Sequence, residues 1–149
     1  MIQRIQSLWL LIAALISTLL MLDWYTGYVY KADVPQGLGS VVSYLRVTNH
    51  FPSLLVAVAM ILIPFIAIFF FKDRKRQRSL SWIAVLLNIA FIAVSLMHIE
   101  NFKNTSPMPS NGSYQAGIVV PVVAIVFLVM AINGIRRDEK LVKSMDRLR

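Results

Sequence analysis

Seven residues in the middle of the chain, Lys72-Asp-Arg-Lys-Arg-Gln-Arg78, carry five cations and one anion between two long apolar runs, Phe51–Phe71 and Leu80–Met97. Hydrocarbon does not accept that charge density, so the cluster must sit in water or among lipid head groups while both flanks seek an apolar medium. A connection this short between such runs leaves only an antiparallel helical hairpin. An excess of Lys and Arg on short connections marks the cytoplasmic side of a membrane. Lys72, Arg74, Lys75, Arg76 and Arg78 are therefore the topology-setting residues, and the other segments take their orientation from them.

Composition agrees. Of 149 residues, 58% are hydrophobic and 15% charged, against about half and about a quarter in soluble domains. The net charge of +8 comes from clusters flanking apolar runs, without the basic aromatic surface that nucleic acid requires, so nucleic acid is not expected as a partner. The chain has no cysteine, which excludes disulfides, thiolate metal sites and thiol redox chemistry.

Four spans are predicted, at about 7–24, 51–71, 80–97 and 115–135, from runs near the length a bilayer needs. The first has Trp9 near one end and Trp24 and Tyr25 at the other. Because no small-x-small cleavage pattern follows it, it reads as an uncleaved anchor rather than a signal peptide. Pro64 should kink the second span. Between spans one and two, Val- and Tyr-rich stretches flank Pro35-Gln-Gly-Leu-Gly39, the pattern of two paired strands, Tyr28–Ala32 and Val41–Val47, around a turn. Residues 98–114 read as a polar loop. The remainder, 136–149, reads as an amphipathic cytoplasmic tail bending away at Gly134.

Orientation then follows by counting. Arg4, the five cations of the turn and the six of the tail place twelve on one side, against Lys31, Arg46 and Lys103 on the other. Both termini are expected in the cytoplasm.

Candidate chemistry is sparse. No apolar run holds an ionisable residue in its interior; Ser17, Thr18, Asn88 and Ser95 are the polar groups there. Such groups bond a neighbouring helix or their own backbone, and Asn88 is the best interhelical clamp. His50, His98 and Glu100 form a legitimate ligand set, but His98-x-Glu100 is a poor ligand spacing and His50 is remote in sequence. There is no Gly-x-Ser-x-Gly and no His-Glu-x-x-His, so neither catalytic residues nor a cofactor or metal are expected. In the tail, Leu141, Met145 and Leu148 form an apolar stripe at helical spacing with Val142 beside it, and Glu139 and Lys143 form an i, i+4 pair. With Arg136, Arg137 and Lys140, that stripe is the candidate contact surface. Two readings stay open: a segment lying on anionic lipid, and a docking helix for another protein.

The opening Met1-Ile-Gln-Arg-Ile-Gln-Ser-Leu-Trp-Leu10, the turn Phe71-Lys-Asp-Arg-Lys-Arg-Gln77 and the tail Arg137-Asp-Glu-Lys-Leu-Val-Lys-Ser-Met-Asp-Arg-Leu-Arg149 resemble a domain-of-unknown-function family, number 4293. The resemblance covers the whole chain in layout. It implies a small four-span inner-membrane protein from Bacteroidota and no particular chemistry. The order of spans and loops is also similar to that of claudin-like tetraspan proteins, in layout alone.

The expected architecture is an all-α membrane protein with four transmembrane helices, N-in and C-in, and a small β-containing outer loop between helices 1 and 2. The expected role is non-enzymatic: an accessory or scaffolding subunit of a larger complex in the bacterial inner membrane. Its expected partners are the lipid bilayer and other integral membrane proteins, with homo-oligomers allowed. The alternative is a small oligomeric transporter or channel.

Overall fold

A computed structural model describes residues 2–22, 27–37, 39–105 and 110–146, with side chains for all of these but 2–5, 110 and 143–146. It contains four α-helices, α1 (Ile2–Thr18), α2 (Phe51–Phe69), α3 (Arg74–Lys103) and α4 (Val120–Asp146), and three strands, β1 (Tyr28–Gln36), β2 (Gly39–Arg46) and β3 (Ser110–Tyr114). Helices α2, α3 and α4 are long and apolar enough to cross a membrane. The first is shorter than the expected 7–24 segment. With the 3₁₀ turn Leu19–Met21 that extends α1, its apolar part is Gln6–Met21. Trp24 and Tyr25 lie outside the described residues.

Local chemistry sets the helix boundaries. Proline in the first turn of α2 costs nothing, because the N–H it lacks would have no helical partner there. Pro64 sits inside α2 and is buried. Helix α3 starts earlier than the sequence suggests. The Asp73 side chain accepts the Arg76 backbone N–H at 3.2 Å, capping the helix so that Arg74–Arg78 form its first turns. The basic segment is therefore mostly helix rather than loop, and the true turn is Phe70–Asp73. At the other end, α4 runs unbroken to Asp146, without the bend expected at Gly134. Glycine has a different purpose there. A Cβ at Gly134 would lie 2.8 Å from Gln6 Cγ, so its absence lets α1 and α4 approach closely.

Around the bundle, α1 packs on α2, α2 on α3, α3 on α4, and α4 back on α1. Between helices in lipid, close packing replaces the hydrophobic drive, and small residues permit it. Ala13, Ala67, Ala84, Ala124 and Ala131 are fully buried accordingly. Toward the charged end Ala13, Ala67, Ala84 and Ala131 pack with Leu10, Val85, Leu128 and Ile132.

The sheet closes the opposite end. Its order is β2-β1-β3, antiparallel throughout. The hairpin is the one the Val/Tyr pattern predicts, with a tighter turn: pairing continues to Pro35–Ser40 and Gln36–Gly39. Gly37 takes the positive φ of 61° that this turn requires. The loop reading of 98–114 is corrected at both ends: α3 continues to Lys103, and Ser110–Tyr114 forms the third strand, with Pro107 and Pro109 outside the described residues. Its polar side chains carry no strand signal, and β1 recruits it by backbone pairing of Tyr30 with Tyr114 and Lys31 with Ser113. Asn111, at φ 47°, supports the irregular register there, since Asn tolerates left-handed backbone. Val29, Tyr30, Ala32 and Leu45 from the sheet and Val47 just after it share one core with Ala57, Met60, Phe91 and Ile99 from the helices. A hairpin too small to stand alone in water is thus stabilised by the helix ends.

Candidate functional site

At the charged end, the start of α3 faces the end of α4. Arg74 Nη1 lies 3.6 Å from Asp138 Oδ2, and the Asp138 side chain is only 5% exposed. One turn along α3, Arg78 Nη1 donates a hydrogen bond to Glu139 Oε2. A one-turn spacing on α3 thus meets adjacent acids on α4, clamping the helices together beyond their apolar contact. Gln77, between the two arginines, is buried, and the Ser81 hydroxyl donates to its backbone carbonyl at 2.8 Å. The Arg136 guanidinium lies 5.7 Å from the centre of the Trp82 ring, adding a cation–π contact between the same helices.

The five cations of the basic segment are therefore divided. Arg74 and Arg78 turn inward to α4. Arg76 folds back on Asp73, Nε to Oδ2 at 2.9 Å, and keeps 72% of its side chain exposed. Lys72 lies 6.0 Å from the Phe71 ring centre and Lys75 points outward, both exposed. In the tail, Arg136, Arg137, Lys140, Leu141 and Val142 are exposed, with Leu141 at 52%. Glu139 is engaged by Arg78; the side chains of its expected partner Lys143 and of Met145, and all of Leu148, lie outside the described residues. The sequence pairs Glu139 with Lys143 on its own helix; in the fold Glu139 and its neighbour Asp138 meet arginines of α3, which only the fold reveals.

Along the core, α3 presents Gln77, Ser81, Asn88 and Ser95 on one buried face. Asn88 is fully buried, and its Nδ2 donates to the Ala84 carbonyl at 2.8 Å, within α3 rather than to a neighbouring helix. Its Oδ1 and the Ser95 hydroxyl have no hydrogen-bond partner among the described residues. Ser17 and Thr18 donate to the Ala13 and Leu15 carbonyls of their own helix.

At the sheet end the fold joins two residues that looked remote. The His50 and His98 rings stack with centroids 3.9 Å apart and planes inclined by 22°, and His50 Nδ1 lies 2.7 Å from the Ser53 hydroxyl. Just beyond the apolar run ending at Met97, His98 titrates below the ordinary histidine range. Partial burial disfavours its charged form, and the charge of His50 adds repulsion. Among the described residues no three His, Cys, Asp or Glu side chains gather as a metal site. The three cations of this end rest on tyrosines: Lys31 over Tyr44, Arg46 over Tyr28 and Lys103 over Tyr30 and Tyr114. Tyr30 also packs edge-on against Phe102, fixing the sheet to α3.

Four packed helices, three of them of membrane-spanning length and composition, capped by a small sheet, define a membrane-compatible helical protein. Over residues 2–148 the chain matches the family described as Domain of unknown function (DUF4293), and it belongs to that family. No curated protein and no solved structure matches it at a significant level.

Proposed function

We propose that this chain is a non-enzymatic, four-span inner-membrane protein, N-in and C-in, that serves as an accessory or scaffolding subunit of a larger membrane complex. The observation that carries the reading is the end of α4. It continues as helix beyond the apolar span, held by the pairs Arg74–Asp138 and Arg78–Glu139, and holds Leu141 and Val142 exposed directly after Lys140, one turn beyond Arg137. Ion pairs that spend the acids inward leave a basic, partly apolar ridge outward, suited to a partner's acidic groove or to a partner held against the bilayer. The apolar character of Gln6–Met21 supports a fourth crossing, which its short length allows because a membrane thins locally around a short hydrophobic segment.

The test is affinity purification of the tagged chain from native membranes, followed by mass spectrometry, for the wild type and for Leu141→Asp with Val142→Asp. The reading expects stoichiometric integral membrane partners that the double variant loses while its level in the membrane holds. Partners retained at full stoichiometry by the variant would refute the docking role of α4. One observation favours the second reading, a small transporter or channel. The acceptor Asn88 Oδ1 and the Ser95 hydroxyl are held in the core without partners among the described residues, as polar groups lining a water path would be. Flux into liposomes holding this chain alone would support that reading.

A further inference from the structure

On the face of the α2–α3 hairpin away from α4's ion pairs lies a groove of about 400 Å³, lined by Ile66, Phe70, Arg76, Ser79 and Leu80. Its two ends differ in chemistry. Ile66, Phe70 and Leu80 make the apolar part. Arg76 and Ser79 make the polar mouth. Arg76 uses Nε on Asp73, which leaves its two terminal nitrogens for an anion in the planar, two-pronged geometry that suits a phosphate. Lys72 and Lys75, close to Arg76 in sequence, are exposed, and Asp73 is the single acid between Lys72 and Ser79. A soluble anion would have no use for the apolar arm, and a neutral lipid would gain nothing from the cations.

We infer that this groove binds an anionic phospholipid, its phosphodiester on Arg76 and Ser79 and one acyl chain along Ile66, Phe70 and Leu80. The inference rests on the membrane reading above, which puts this turn at the cytoplasmic head-group level. Basic pockets between helices on that side recognise acidic head groups. It also gives the cluster's cations separate tasks: Arg74 and Arg78 hold α4, while Arg76 holds lipid.

The test uses the full chain purified in a neutral detergent, with equal amounts of phosphatidylglycerol and phosphatidylcholine, read by native mass spectrometry. One phosphatidylglycerol should be retained in clear preference. Arg76→Gln should lower its retention about five-fold, the order expected for one cation at a membrane surface. Lys31→Gln, which removes the same charge at the sheet end, should leave retention unchanged. Glycerol phosphate at millimolar concentration should not displace the lipid. Equal retention of the two lipids, equal loss in the two variants, or displacement by glycerol phosphate would each overturn the inference. Matching thermal unfolding of both variants in phosphatidylcholine alone separates lost binding from lost fold. Failure of the membrane reading is seen elsewhere, as release of the wild-type chain from membranes by alkaline carbonate.

Discussion

Replacing Asp138 by Asn tests whether the charged end is a clamp. At 3.6 Å the Arg74–Asp138 pair is an ion pair rather than a direct hydrogen bond. Its Coulomb attraction is about 4.6 kcal/mol at the effective dielectric of about 20 that suits partly buried groups. Desolvation of an acid 5% exposed and an arginine 23% exposed offsets much of that gain. Removing one partner should cost more than the pair's net worth, because the other charge stays half-buried and uncompensated. Asp138→Asn and Arg74→Gln should each destabilise the protein by about 2 kcal/mol, and the double variant by only about 2 kcal/mol rather than about 4. The implied coupling of about 2 kcal/mol is measurable by a double-mutant cycle, using reversible unfolding in mixed detergent micelles. Coupling below about 0.5 kcal/mol would refute the clamp and leave α4 held by apolar packing alone.

Two further outcomes follow from close contacts. Gly134→Leu should destabilise the α1–α4 interface by about 1–3 kcal/mol through overpacking against Gln6, and adding Gln6→Ala should recover part of the loss in the same unfolding assay. Because the folded state lowers the His98 pKa, the unfolded chain binds the extra proton first. The stability held in full above about pH 6.5 should therefore fall as pH drops through the His98 pKa, and His98→Asn should flatten thermal unfolding midpoints between about pH 5 and pH 8.

Much of the architecture is legible in the residues, for reasons that are local. The apolar runs, Pro64 and the alternating Val/Tyr stretches act within their own segments, and helices and a hairpin appear where those patterns lie. What escapes the sequence depends on a distant partner. Strand β3 exists because β1 offers it an edge, and Ser110-Asn-Gly-Ser-Tyr114 has no alternation to announce it. Gly134 looks like a bend until Gln6 is found against it. Asp138 and Glu139 belong to Arg74 and Arg78, and His50 to His98. The start of α3 is local too: Asp73, three residues before Arg76, is an N-cap pattern that lets a run of five cations begin a helix.

The central claim is the orientation of four crossings about the basic turn, and the absence of cysteine makes it directly measurable. Single cysteines at Gln3, Gln36, Lys75 and Lys140, treated in intact spheroplasts with a membrane-impermeant maleimide, report which side each position faces. The account predicts labelling at Gln36 alone, with the other three reacting only after the membrane is opened. Labelling of Gln3 in intact spheroplasts would mean that the short first helix does not cross, and labelling of Lys75 would contradict the orientation itself.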